Sequence, residues 1–395
     1  MKILQLAPQF PFPETDGGKI GIASTFRQLA MKADVTFFCF SLSEPPKELL
    51  KNAEKIGKII LYKHSTKNTL PLILKSLFQK EPLYLTKHYS DEIFNYLLKL
   101  AKVEQFDIIH ADHTAMAPIA IRLQEALGIP AGIRLHNVEH LIWKRYLSRL
   151  SKFDPKKVYI SNQTRKLLRR EAELIGKASV SFPITNEDAE LAKHISLNAN
   201  IVVAGPGINL DNWKRIDSEK KVTTLIHATT YDWIHNIEAI RWFLNEVMPG
   251  LAIINPEIRL QLLGKNPPAE FHFCKNTDVL GFVPSVIPYM SAAGIYIAPL
   301  FVGGGIRIKI LEAMAMELPV IASPVSAEGI KAGENEGLII ARNKEDYLRH
   351  IKYLTNNPQE ALKLGWAARS YILENYTWEK SIGIIYNSYQ NLING

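Results

Sequence analysis

The sequence predicts an α/β protein of two domains, each a parallel sheet covered by helices. Three observations carry that reading. A chain of 395 residues is too long for one ordinary core, so two domains are expected. The first half alternates short apolar runs with amphipathic stretches, the βα rhythm of a parallel sheet. The second half repeats the alternation.

The elements follow in order. MKILQLAP is a strand, and the proline-rich QFPFPETDGG is its loop. Lys19 to Ala33 reads as a helix, with Ile22, Phe26, Leu29 and Ala30 on one face. DVTFFCFSL and KIGKIILYK are strands, and a helical zone runs from about Leu70 to Val103. FDIIHADH is a strand ending in polar residues, followed by a helix through about Leu127. AGIRLHNVEH ends the same way. After a basic helix, ASVSFPIT and NIVVAGPG read as two more strands. The polar stretch from Asn209 to Glu219 has no period and marks the boundary. Beyond it come VTTLIHATT, a helix from about Asn236 to Met248, IRLQLLGK, DVLGFV, a short helix near Ile287, and IYIAPL. A helix from about Arg307 to Met316, the strands PVIAS and GLIIA, helices over 345–376 and a tail helix complete the set.

The stretch from Ile295 to Ile330 is the most informative. Gly303, Gly304 and Gly305 lie between a strand and a helix, where free backbone N–H groups and a positive helix end suit a phosphate. Arg307 and Lys309 add positive charge in the first turn. Cations there oppose the helix dipole, and a bound diphosphate gives them a reason to be present. The triplet alone is equally a tight turn, and it is neither a Walker loop nor a dinucleotide fingerprint.

Ligands of open parallel sheets bind at the carboxyl ends of strands, which selects the polar residues after each apolar run. Gly17 and Gly18 follow the first strand and open a helix, allowing close backbone approach. His136, Asn137, Glu139 and His140 end one strand. His110, Asp112 and His113 end its neighbour, with a spacing that is not diagnostic of a metal. Asn186, Glu187 and Asp188 read equally as a helix cap or a site string. Asn236 reads as a helix cap.

The string GIRIKILEAMAMELPVIAS…AEGI resembles the donor-binding segment of retaining glycosyltransferases of family four, the glycosyl transferases group 1 with the GT-B fold. The resemblance covers nearly the whole chain and is strongest from Val279 to Ile330. It implies two Rossmann-like domains facing across a cleft, with the C-terminal helix crossing back to the first. The first domain would be 1–212 completed by 377–395, and the donor-binding domain 213–376. Glu312 would hold the ribose hydroxyls, Arg307 and Lys309 the diphosphate, and Gly281, Phe282 and Val283 the base. Glu328 and Gly329 would close the pocket. Gly17 and Gly18 would approach the donor phosphates, and His136 the transferred sugar. His110, Asp112, His113, Asn137 and Glu139 would lie on the acceptor side. Two departures stand out. Gly304 occupies the place of a first glutamate that many members carry, and Gly21 stands where many have a basic residue.

What the resemblance implies is transfer of a sugar, a UDP-sugar by base rate, to an acceptor hydroxyl with retention. No metal and no cofactor is expected, and no protein nucleophile can be nominated. The acceptor would be a glycan or lipid-linked molecule in polysaccharide, lipopolysaccharide or glycolipid assembly. Two alternatives stay open: a non-hydrolysing sugar-nucleotide epimerase, and a non-catalytic nucleotide-sugar-binding protein with a degenerate site. A nicotinamide enzyme is disfavoured because no G-x-G-x-x-G follows the first strand.

Bulk properties narrow the partners. Hydrophobic residues at 47% and charged ones at 22% fit a soluble globular protein. Cys39 and Cys274 lack metal spacing and fit a reduced compartment. ILQLA before Pro8 is too short for a signal-peptide core, and no run reaches membrane-span length, so a cytoplasmic protein is expected. Residues 1–200 hold 29 Lys and Arg against 20 Asp and Glu, whereas 201–395 hold 18 against 19, so the basic excess belongs to the first half. It is densest from Lys144 to Arg170, with Leu147, Leu150, Phe153, Leu167 and Leu168 interleaved. That stretch suits an anionic membrane surface on the inner face, in keeping with lipid-linked acceptors; a solvated helix face is the competing reading. No helix-turn-helix, RNA-binding or zinc-finger string supports nucleic acid as a partner.

Overall fold

The structure, a computed structural model, describes residues 1–151, 154, 156–302 and 306–395. Gly303, Gly304 and Gly305 lie outside the described residues, as do Lys152, Phe153 and Pro155. The chain divides into two compact units. The first is Met1–Pro206 together with Trp378–Gly395, and the second is Gly207–Thr377.

Unit 1 runs β1 (Lys2–Ala7), α1 (Gly17–Ala30), β2 (Asp34–Ser41), α2 (Lys47–Glu54), β3 (Lys58–Lys63), α3 (Leu70–Phe78), α4 (Leu83–Thr86) and α5 (Asp91–Glu104). It continues with β4 (Ile108–Asp112), α6 (Ala117–Leu127), β5 (Ala131–Leu135), α7 (Glu139–Arg149), α8 (Lys156–Lys177), β6 (Val180–Pro183) and α9 (Asn186–Ile195). The sheet is parallel with strand order β3-β2-β1-β4-β5-β6. β4 and β5 are buried throughout, as central strands covered on both faces must be. Alternate side chains divide between two cores. Leu4, Leu6, Ile109 and Ile133 pack with α5 and α6 residues, and Ile3, Phe37 and Ile108 pack with α1 residues.

Several expectations shift here. α1 begins at Gly17, because Asp16 caps it by accepting from the Lys19 N–H at 3.0 Å. α2 was not anticipated. The zone from Leu70 to Val103 is three helices, broken at Pro82 and restarted by the Ser90 cap. NIVVAGPG forms only an isolated bridge, Ser181 to Ile201. Its partner β6 ends at Pro183, which has no N–H to extend a ladder. Thr185, not Asn186, caps α9, accepting from the Asp188 N–H at 2.9 Å.

Unit 2 runs β7 (Lys221–Ala228), α10 (Ile234–Trp242), a π turn (Phe243–Val247), α11 (Met248–Ile254), β8 (Arg259–Leu263), β9 (Thr277–Gly281) and α12 (Ile287–Ala292). Then follow β10 (Ala293–Ala298), α13 (Ile308–Ala315), β11 (Val320–Ala322), β12 (Leu338–Ile340), α14 (Lys344–Asn356) and α15 (Pro358–Asn375). Its parallel sheet has the order β12-β11-β10-β7-β8-β9. Counted within each unit, both sheets read 3-2-1-4-5-6, the Rossmann order. Asn236 does not cap α10. It lies inside the helix, and its amide donates to Thr229 Oγ1 at 2.8 Å and to the Thr230 carbonyl at 2.7 Å, fixing the loop after β7.

The last helix, α16 (Trp378–Asn394), belongs to unit 1. Trp378, Ile382, Ile385 and Tyr389 enter the core beside α1. Tyr389 reaches the middle of the sheet because Gly132 on β5 has no side chain, and a Cβ there would overlap the phenol. The Tyr389 hydroxyl and His110 Nδ1 then share a hydrogen bond of 2.5 Å.

Candidate active site

A Rossmann sheet opens where the strand order reverses, between the first and fourth strands. In unit 2 that point lies between β7 and β10. α13 follows β10 and carries three of the singled-out residues. Its N-cap is Arg307, in extended backbone, so the helix starts one residue later than the sequence suggests. The Arg307 side chain does not cap the helix. Lys309 is exposed, lies 5.7 Å over the Trp213 ring, and pairs with Glu312 at 2.8 Å. Glu312 is buried, and burial pushes its carboxyl pKa up while Lys309 pulls it back. A buried carboxylate one turn from an uncapped helix start is costly unless it serves a ligand or a partner cation.

The residue Leu300, just after β10, is held by the loop after β11. The Ser326 hydroxyl accepts from the Leu300 N–H at 3.0 Å, and the Ser323 hydroxyl donates to the Leu300 carbonyl. This ties the loop after β11 to the end of β10. Glu328 in that loop is exposed, and Gly329 takes a left-handed φ of +79°. Gly281 ends β9 with φ +66°, a turn that favours glycine. Phe282 next to it is largely exposed, with Lys265 Nζ 5.1 Å over its ring, and Val283 packs against the core of unit 2. β9 is three strands from β10, about 14 Å along the same sheet edge.

In unit 1 the reversal lies between β1 and β4, and a buried polar network fills its carboxyl end. Asp112, wholly buried, accepts from Gln5 Nε2 at 3.0 Å and from His136 Nε2 at 2.7 Å. Burial alone would raise the Asp112 pKa, but the hydrogen bond and charge of His136 hold it far below the usual carboxylate range. The pairing places an imidazole proton on Nε2, facing the carboxylate. The ring packs on α1, where a Cβ at Gly21 would come within 2.9 Å of His136 Cε1. His113 stacks on His136 with centroids 4.9 Å apart and shares a 2.9 Å hydrogen bond with the Tyr84 hydroxyl. Burial and the neighbouring His136 press the His113 pKa down to about 3.

Two acceptor-side expectations need correction. His110 and Asp112 are wholly buried and bonded to Tyr389 and His136, so they act on neighbouring side chains and present nothing to a ligand. Glu139 is also buried, while Asn137 is exposed. Gly17 and Gly18 stand in the first turn of α1, whose cap position the Asp16 carboxylate already holds. Among the described residues, no group of three or more His, Cys, Asp or Glu side chains is placed to hold a metal ion.

The sequence reading missed Gln5, Tyr84, Arg134, Glu171 and Tyr389. Arg134 is buried over the Trp378 ring at 5.2 Å and donates to Thr25 Oγ1. Glu171, wholly buried on α8, accepts from the Glu139 N–H at 2.8 Å, the His140 N–H at 3.2 Å and His140 Nδ1 at 2.7 Å. It supplies the cap that Val138 cannot give α7. The signal was present: Gln163, Leu167, Glu171 and Leu174 share one helical stripe, which places an acid on the buried face.

Glu139 gives a pH prediction. Burial, and next the Glu171 charge, raise its pKa from 4.5 to about 7. The folded state therefore holds a proton that the unfolded state releases, and this contribution falls as pH rises from about 4.5 through about 7. Glu139→Gln mimics the protonated form. Urea melts should show the variant gaining on the wild type across that window, by on the order of 3 kcal/mol at pH 8. A constant difference at pH 5 and pH 8 would refute the assignment.

Residues 222–357 match the family model described as Glycosyl transferases group 1. An "uncharacterized 44.6 kDa protein in cps region" of Klebsiella pneumoniae is 23% identical over 411 residues, covering 98% of this chain and 99% of that one. Sucrose-phosphate synthase from Thermosynechococcus elongatus superposes with a TM-score of 0.69 at 15% identity, over 100% of this chain and 99% of that one. HepE of Anabaena in complex with UDP gives 0.65 at 14%, over 99% and 100%. The chain has the GT-B fold, and its residues 222–357 are similar to the glycosyl transferases group 1.

Proposed function

We propose that this protein transfers a sugar from a UDP-sugar to an acceptor hydroxyl, with retention at the anomeric carbon and without a metal. The observation that carries the reading is α13. A helix start without a side-chain cap, flanked by Arg307 and Lys309 and followed by the buried Glu312, stands at the switch point of a Rossmann sheet. Backbone N–H groups and the two cations bind the diphosphate, and Glu312 takes the ribose hydroxyls. On donor binding Lys309 exchanges Glu312 for phosphate oxygens. Gly281, Phe282 and Val283 contact the base from the same sheet edge, and Glu328 and Gly329 border the donor. His136, oriented by Asp112, offers Nδ1 to the sugar hydroxyls, with Gly17 and Gly18 giving close backbone approach. His113 and Asn137 stand on the acceptor side, and Glu139 fixes the base of that group.

Electrostatic stabilisation of the departing diphosphate is the main catalytic term, and retention follows from attack on the face the leaving group vacates. A glycan or lipid-linked acceptor fits the basic stretch from Lys144 to Arg170, and the relative named for a cps region is in keeping with polysaccharide assembly. A cytoplasmic protein peripheral to the inner membrane face accounts for both; among the described residues no helix is long and apolar enough to cross a membrane.

A thermal-shift panel with UDP, GDP, ADP and their sugar conjugates, with and without EDTA, tests this. UDP or one of its conjugates should raise the melting temperature, EDTA should not matter, and Glu312→Ala should abolish the shift. No shift with any nucleotide would overturn the donor site. Conversion of a UDP-sugar to its epimer without acceptor would identify an epimerase instead.

A further inference from the structure

α3 is built inside out. Of LPLILKSLF, the residue buried is Ser76. The Ser76 hydroxyl donates to the Ile73 carbonyl and shares a 2.9 Å hydrogen bond with Tyr159 of α8. The Ser76 carbonyl accepts from Gln163 Nε2 at 3.2 Å and Lys166 Nζ at 2.8 Å, and the Leu77 carbonyl from Lys166 Nζ at 3.1 Å. Polar groups thus fasten α3 to α8, while Leu70, Leu74, Leu77 and Phe78 turn outward, 69%, 53%, 40% and 91% exposed. Their spacing of i, i+4, i+7 and i+8 makes one continuous stripe. An ordinary surface helix has the opposite arrangement, and such a stripe marks an interaction face.

Charge selects the partner. Between Glu54 and Glu81 the chain carries six lysines and no acid. Lys67, Lys75 and Lys80 flank the stripe and are exposed. Glu81 is neutralised by Arg170 at 3.2 Å. Across the α3–α8 contact stand Lys156 and Lys157, beside Val158 at 79% exposure. Apolar side chains ringed by cations are the complement of an anionic lipid surface, in which acyl chains lie beneath phosphates.

We propose that α3 is a membrane anchor, seating its Leu70–Phe78 stripe among the acyl chains of an anionic bilayer. This rests on reading the basic stretch as membrane-facing and changes its content. Lys166 and Arg170 are structural ties of α3 and Glu81, and the insertion comes from a segment outside Lys144–Arg170.

Flotation of the full chain with phosphatidylcholine vesicles, with and without phosphatidylglycerol, tests the anchor, and needs no nucleotide-sugar. Wild type should float with the phosphatidylglycerol vesicles and far less with phosphatidylcholine alone. Leu74→Ser/Phe78→Ser should lower that partition by at least about tenfold. A Phe78→Trp variant should be quenched by brominated lipid beyond the wild-type level, a readout that does not depend on the serine variant folding well. Undiminished flotation of Leu74→Ser/Phe78→Ser would overturn the anchor. If Lys156→Glu/Lys157→Glu then abolished flotation, the basic stretch would stand without α3. Absence of wild-type flotation would overturn both. A dimer in light scattering that Leu74→Ser/Phe78→Ser dissolves would assign the stripe to a second copy and overturn the lipid proposal.

Discussion

Arg307→Ala is expected to lower turnover at saturating donor by about a hundredfold or more. Arg307 sits where the chain enters α13, and its side chain is not the helix cap. A cation at the positive end of a helix opposes the dipole, and that opposition is offset when a diphosphate binds. In the proposed transfer, charge on the β-phosphate grows as the sugar leaves, so the arginine is expected to contribute more in the transition state than in the ground state. The measurement is kcat and KM with acceptor saturating. A fall in kcat supports the role. An unchanged kcat with a raised KM would mean that Arg307 contributes binding alone, and the catalytic assignment would fail.

Asp112→Ala should destabilise unit 1 by about 3–5 kcal/mol, because it breaks a buried charged network. The carboxylate holds Gln5 and His136, and its charge also supports Arg134, whose guanidinium burial would otherwise disfavour. Arg134 has Thr25 and the Trp378 ring as neighbours, neither of which carries a negative charge. Removing Asp112 leaves a buried cation uncompensated. Asp112→Ala/Arg134→Met should recover a substantial part of the loss, since an apolar side chain needs no counter-charge. Urea melts of the two variants make the comparison. A single variant within about 1 kcal/mol of wild type, the scale of an ordinary surface change, would show that the network is not under this electrostatic load.

The sheets were legible because central parallel strands are continuous apolar runs: LQLA, FDIIHAD and IYIAPL each became a strand in place. The α13 string was legible because its residues are local, six positions spanning N-cap, ion pair and buried acid. What sequence reading lost was settled by partners distant in the chain. His110 looked like a ligand at a strand end, but Tyr389 reaches it across 279 positions through the gap at Gly132. Asn236 looked like a cap, but Trp233 takes that place and the amide turns back to the β7 loop. Glu171 follows the basic stretch and was not singled out, yet it caps α7 from the buried face of α8. α3 read only as part of a helical zone from about Leu70 to Val103, and its contacts with α8 show which side faces out.

The bond between Tyr389 and His110 also sets an order of events during synthesis. Unit 1 leaves the ribosome first, with its six strands and their hydrophobic faces. Its core nevertheless lacks Trp378, Ile382, Ile385 and Tyr389 until α16 emerges. Unit 2 is an uninterrupted segment and has all its residues before then. The domain made first is therefore finished last, and through the interval between them it carries an open apolar face on the α1 side. Such a face is what chaperones hold and what aggregation exploits.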